Sequence, residues 1–291
     1  MADGSLSLAL AGHRFLFEPS SAERVSLSPA FDQFLSTDEH LPLTARYTVS
    51  APDRAVPVED TEPIWKTETW QLGRSATGDF VLSIHIFPDE HPLPVARFSS
   101  DFSRGDLIRR AGRHGAATPY AFNYPCDQVA VLNALATRRV CVVHAGAVEF
   151  GGQALVFCGR SGAGKTTLSR LCRDHGATLL NDDRQFLFIK DEQAYVAPTP
   201  WHGSEPEVNN RTVPLRAILH LDQAPHNTLT PICGALAVAR LLGNTVAPFY
   251  RADAMEDTLS LLESLTRLVP SKSLAFTPTA DAVALCQTLL D

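Results

Sequence analysis

Gly159-Arg160-Ser161-Gly162-Ala163-Gly164-Lys165-Thr166 fits the pattern G-x-x-x-x-G-K-[ST], and its flanks decide how it is read. Before it runs Ala154-Leu155-Val156-Phe157-Cys158, a short apolar stretch with the character of a buried strand. After it, Thr167-Leu168-Ser169-Arg170-Leu171-Cys172 carries apolar residues at helical spacing. Strand, glycine-rich turn and helix together make a phosphate-binding loop. Glycines let backbone N–H groups point inward around a phosphate, and the helix N-terminus adds partial positive charge. Lys165 then reaches the β- and γ-phosphates, and the Thr166 hydroxyl takes a Mg²⁺ position. The residues expected to line the nucleotide are Gly159, Ser161, Gly162, Ala163, Gly164, Lys165, Thr166 and Thr167. A nucleoside triphosphate is the ligand this implies. The sequence has no Asn-Lys-x-Asp guanine-reading segment, which speaks against a GTPase.

Asp182 and Asp183 are the second signal. Ala177 to Leu180 reads as a strand ending at Asn181-Asp182-Asp183, one helix beyond the loop. If that helix is a right-handed crossover in a largely parallel sheet, the strand ends at the same edge as the loop. Two adjacent carboxylates then stand near the bound phosphates. One would hold Mg²⁺, directly or through water, and the other would accept a proton from an attacking hydroxyl. The plain alternative is a strand-end turn with exposed acids. His144 closes a strand over Arg139–His144, with a second strand over Ala147–Phe150. It is either a satisfied half-buried histidine or a side chain that tunes a neighbouring carboxylate. Thr199-Pro200-Trp201-His202-Gly203-Ser204 is a loop that faces a substrate or simply the surface. Arg211, Arg240 and Arg251 are candidates for meeting γ-phosphate charge.

The first half reads differently. Short strands are expected at Leu6–Leu10, Arg14–Phe17, Arg46–Val49, Trp65–Leu72, Phe80–Phe87 and Val95–Phe98, with a Pro- and acid-rich loop over Ala51–Pro63. From about Tyr120 helices and strands alternate. Helices are expected at Cys126–Ala136, Gly234–Leu242, Ala254–Leu268 and from Ala280. Strands are expected at Leu215–Leu221 and Leu274–Phe276, with a hairpin over Gln185–Ala197.

The chain has 291 residues and a formal net charge of −7, the opposite of a basic nucleic-acid footprint. It has no apolar run of membrane-spanning length and no basic-then-apolar leader, so no membrane partner and a cytoplasmic setting are expected. The six cysteines form no C-x-x-C pair and read as free buried thiols.

Val143-His144-Ala145-Gly146, then Gly159 to Thr166, then Asn181-Asp182-Asp183-Arg184, resembles the catalytic core of HPr serine kinase/phosphorylase. Tyr124-Pro125, Thr199-Pro200-Trp201-His202-Gly203, Val213-Pro214-Leu215 and Leu219-His220-Leu221 are similar to the HPr-kinase-like proteins of bacterial peptide-modification clusters, a group that includes lasso-peptide kinases. The resemblance runs from about Tyr120 to Asp291. It implies a fold shared with phosphoenolpyruvate carboxykinase, ATP and Mg²⁺ as cofactors, and transfer to a serine or threonine hydroxyl of a peptide or protein. It also implies that Asp182 and Asp183 divide the roles of base and Mg²⁺ ligand. We take Asp183 as base, and Asp182 with Thr166 as metal ligands. His144 matches the histidine beside the family's carboxylates, and Lys165 completes the catalytic set. HPr kinases form hexamers, which leaves a homo-oligomer open here. Two departures stand out. Thr167 occupies a position that is acidic in HPr kinases, and the glycine/arginine/asparagine-rich signature used for phosphorolysis and HPr docking is absent. The expected class is therefore α/β, with a P-loop mixed-sheet kinase domain over 119–291 preceded by a β-rich domain over 1–118. A small-molecule alcohol kinase and a non-catalytic nucleotide-dependent regulator are the alternatives.

Overall fold

The computed structural model describes residues 4–21, 24–50, 61–85, 93–108 and 120–290. The chain divides into two compact units, Met1–Leu135 and Ala136–Asp291. The expected boundary at 118/119, residues 86–87 of one expected strand, and most of the expected loop 51–63 lie outside the described residues.

The first unit is a mixed eight-stranded sheet. Its strands are β1 (Leu6–Leu10), β2 (His13–Pro19), β3 (Leu43–Ser50), β4 (Glu62–Lys66), β5 (Trp70–Arg74), β6 (Phe80–Ile84), β7 (Leu93–Phe98) and β8 (Arg104–Ile108). The order is β1-β2-β3-β8-β7-β6-β5-β4. β2–β3 and β3–β8 run parallel, and the other pairs antiparallel. The single strand expected over Trp65–Leu72 is a hairpin. The Thr67 hydroxyl accepts from the Thr69 and Trp70 N–H groups and donates to the Trp70 carbonyl, turning the chain between β4 and β5. The core is aromatic. Tyr47 packs among Phe15, Phe17 and Phe98, and its hydroxyl donates to the Phe102 carbonyl at 3.1 Å. Phe122 joins them, with its ring centroid 4.8 Å from that of Phe17. The first unit therefore extends past Tyr120 to take in most of helix α1 (Cys126–Ala136).

The second unit is a mixed nine-stranded sheet between helices. Its elements are β9 (Val140–Phe150), β10 (Gln153–Cys158), α2 (Lys165–Asp174), β11 (Thr178–Asn181), β12 (Arg184–Lys190), β13 (Gln193–Pro198) and β14 (Val213–Gln223). They continue with β15 (Thr228–Ile232), α3 (Gly234–Leu242), β16 (Thr245–Val246), α4 (Ala252–Leu268), β17 (Ser271–Phe276) and α5 (Ala280–Gln287). The strand order is β10-β9-β12-β13-β14-β17-β15, and β14 also pairs with β10, so the sheet curls back on itself. On one face Leu155, Phe157 and Leu219 pack with Leu168 and Cys172 of α2 and Val283 of α5. On the other, Val143, Ala145 and Val156 pack with Leu241 of α3 and Leu261, Leu262 and Leu265 of α4.

Two expectations change here, and both bear on the site. The strands expected on either side of Ala145-Gly146 are one strand, β9. Gly146 is not a break but a point of close approach, since a Cβ there would stand 2.7 Å from the Ser169 hydroxyl of α2. The sheet around the loop is also not largely parallel. β10 and β11 both run antiparallel to β9, which lies between them. Nor does the chain leave the sheet after β11. Asn181 is paired with Ala147 and Arg184 with His144, so Asp182-Asp183 is a bend within one long run against β9. The Ala145 N–H donates to the Asp183 carbonyl at 2.9 Å across that bend.

Among the described residues no helix is long and apolar enough to cross a membrane. All six cysteines are free and five are buried, with Cys233 exposed. Burial pushes the thiols of Cys141, Cys158 and Cys172 up to about 12.

Candidate functional site

β10 delivers the chain into the glycine loop, and α2 starts at Lys165 with Gly164 as its cap. Gly162 and Gly164 have φ of 80° and 103°, a region that side chains disfavour. A Cβ on Gly164 would also meet the Phe276 ring at 2.8 Å. Ala163 N–H bonds back to the Arg160 carbonyl. The backbone N–H groups of Gly162, Gly164, Lys165 and Thr166 have no acceptor among the described residues. Those of Gly164, Lys165 and Thr166 are orphan donors of a helix start, the kind of group that binds an anion. Lys165 is 8% exposed, and its ammonium donates to the carbonyls of Gly159 at 2.8 Å and Arg160 at 3.3 Å. Burial lowers its pKa, opposed by Cys158 and Asp183.

The two aspartates diverge although they are adjacent. Asp182 is 3% exposed. Its Oδ1 accepts from the Gly203 N–H at 2.8 Å. Its Oδ2 accepts from the N–H groups of Ser204 and Glu205, both at 3.0 Å, and from the Ser204 hydroxyl at 3.2 Å. It anchors the 199–205 loop. Asn181 anchors the same loop, donating to the carbonyls of Thr199 and Trp201. Asp183 is left to the loop side. Its Oδ1 lies 3.1 Å from His144 Nδ1 and its Oδ2 2.8 Å from the Arg184 guanidinium. The hydrogen bond from His144 holds this carboxyl below the usual range, against burial, with Arg184 and Lys165 adding to the effect.

A cavity of about 310 Å³ gathers His144, Ser161, Gly162, Gly164, Lys165, Thr166, Thr167, Asp182, Asp183, Gly203 and Ser204. Gly159 and Ala163, the remaining loop residues of the sequence reading, line a second cleft of about 1010 Å³. His144, Arg160, His220, Asp222, Arg240 and Asn244 also line it. His144 belongs to both cavities. A third cavity, of about 460 Å³, lies beside Gly164, Thr167 and Phe276.

Of the arginines singled out by sequence, Arg240 lines the large cleft, 3.6 Å from Asp222. Arg211 pairs with Glu149 at the far end of β9, and Arg251 is buried against Asp253. Sequence reasoning missed the side chains of Arg184 and Asn244. Arg184 stood in plain sight after the aspartate pair. Asn244 has the pattern of an ordinary helix-end residue after Gly243.

Among the described residues no group of three or more His, Cys, Asp or Glu side chains could hold a metal ion unaided. A Mg²⁺ that arrives with a nucleotide needs fewer protein ligands, because phosphate oxygens and water supply the rest. The Thr166 hydroxyl and the aspartate pair in one cavity fit that requirement.

No family model matches the sequence, and no curated protein matches it. Among solved structures the chain is similar to the Hpr(Ser) kinase/phosphatase from Coxiella burnetii at 15% identity and a TM-score of 0.29. The match spans 51% of this chain and 93% of that one.

Proposed function

We propose that the chain is an ATP- and Mg²⁺-dependent phosphotransferase acting on a serine or threonine hydroxyl of a peptide or protein. The observation that carries this is Asp183, held between His144 and Arg184 in the same cavity as Lys165 and Thr166. Phosphoryl transfer asks mainly for positioning and charge stabilisation. The orphan N–H groups of the loop bind the phosphates, and Lys165 leaves its two carbonyls to meet them. Thr166 would hold Mg²⁺, with Asp182, whose oxygens already accept four hydrogen bonds, reaching it only through water. The ion would neutralise charge that develops on the β- and γ-phosphates. Arg184 pairs with Asp183 and would hold positive charge beside the base.

The acceptor hydroxyl oxygen attacks the γ-phosphorus, the bond to the β–γ bridging oxygen breaks, and ADP leaves with that electron pair. The hydroxyl proton passes to Asp183. His144 keeps the Asp183 carboxylate aimed and ionised. The loop tied to Asp182 closes one side of the reacting cavity, so the acceptor approaches past His144 from the larger cleft. Its volume of about 1010 Å³ leaves room for an acceptor beside the nucleotide.

The test is intact-mass spectrometry of serine-containing peptides incubated with the protein, ATP and Mg²⁺. A single phosphoryl addition that disappears with Lys165→Ala and with Asp183→Asn is the expected result. Phosphorylation of small alcohols but no peptide would move the acceptor to the small-molecule class. Tight MgATP binding with no transfer to any acceptor would leave a nucleotide-dependent regulator.

A further inference from the structure

We infer that Asn244 is a positioning residue that holds the phosphate loop in register with the His144–Asp183 pair. This rests on the kinase function proposed above. Asn244 lies in the turn between α3 and β16. Its Oδ1 accepts the N–H of Gly159, the first residue of the loop, at 3.1 Å. Its Nδ2 donates to the Arg240 carbonyl near the end of α3, at 2.8 Å. Its backbone carbonyl accepts the N–H of His144 at 2.7 Å. Three segments distant in sequence thus meet on one residue. The β9–β10 ladder already brings Gly159 opposite His144, its last pair being Cys158 with Ala145. Asn244 clamps the two chains just past that pair, where the ladder itself ends.

The chemistry calls for a carboxamide, which accepts and donates at once. An aspartate would keep the acceptor, lose the donor, and place negative charge beside the first N–H of an anion-binding loop. An alanine would leave the Gly159 N–H without its partner. The start of the loop has no slack to compensate, since a Cβ on Gly159 would stand 2.9 Å from that of Ala163. Asn244 touches neither Lys165 nor Asp183 in any hydrogen bond, so its effect passes through the backbone at Gly159 and His144.

The experiment uses the full chain and calorimetric titration with MgATP, with Lys165→Ala as the reference for loss of the loop. Asn244→Ala should weaken MgATP binding about tenfold, the worth of one such hydrogen bond. Asn244→Asp should lose at least as much at neutral pH. Its deficit relative to wild type should shrink as the pH falls into the carboxylic range, because a protonated carboxyl again accepts and donates. A residue that only supported the fold would lower the melting temperature and leave this pH-dependent affinity ratio flat. If both variants bind like wild type at every pH while Lys165→Ala does not bind, the inference is overturned and the kinase function stands. If Lys165→Ala binds as wild type does, the loop assignment fails and this inference goes with it. Should Asn244→Ala not fold, the pH course of Asn244→Asp decides alone.

Discussion

The cores of the two units are made of different material. In the first, Phe15, Phe17, Tyr47, Phe98, Phe102 and Phe122 meet ring against ring. In the second, Ala145, Ala147, Val143, Val156 and Cys158 let helices lie close on the sheet. Small side chains bring backbones together, and close backbones are what an anion site needs. Gly146 shows this beside the site, where a Cβ would stand 2.7 Å from the Ser169 hydroxyl of α2. Large rings fill volume and stabilise a sheet without bringing polar main-chain groups to a point. The difference teaches where chemistry is to be sought: at the strand ends of the small-residue core.

That contrast can be broken most sharply at the reacting group. Asp183→Asn should cut phosphoryl transfer by about 10³-fold with little change in MgATP affinity, measured by mass spectrometry and calorimetry. The reverse profile belongs to the first unit. Phe17→Ala should lower the stability of that unit by about 3–5 kcal/mol, read by denaturant unfolding, and leave MgATP affinity unchanged. If nucleotide binding falls as well, the two cores are not independent. Asp182→Asn should behave as a change to an anchor. It should cost about 2 kcal/mol of stability, expose the 199–205 loop to proteolysis, and slow transfer less than Asp183→Asn does.

The smallest effect is a shift in pH dependence. The Asp183 carboxyl is depressed, first by His144, so its contribution to stability is complete above the ordinary Asp range and fades as the pH falls through the lowered value. The acid limb of the transfer rate should therefore lie below that range. His144→Ala should move it upward, as seen in a rate–pH profile.

Much of this site could be read from the residues alone, because its signals are local. The loop at Gly159–Thr166 announced itself by spacing, and the strand before it and helix after it by their apolar patterns. The aspartate pair could be named but not told apart. Gly203 and Ser204 set one apart and His144 the other, all 20 or more positions away, and the neighbouring Arg184 gives no local sign of which carboxylate it will meet. No periodicity encodes that. Ala145-Gly146 misled for a similar reason: glycine in a strand reads as a break, and only the Ser169 helix packed above it shows that it is a contact. The small strands β15 and β16 have too little pattern to be seen without the β17 and β9 partners that pair with them.

β9 has a consequence for how this chain can change over generations. The strand packs on α4 from one side and α2 from the other, and its edges carry both the loop strand and the aspartate run. Its side chains alternate in direction, so inserting or deleting a single codon between His144 and Phe150 would turn the rest of the strand to the opposite face. The stretch can accept substitutions one at a time but not a change of length. Loops elsewhere can drift in size, while this segment keeps its residue count fixed.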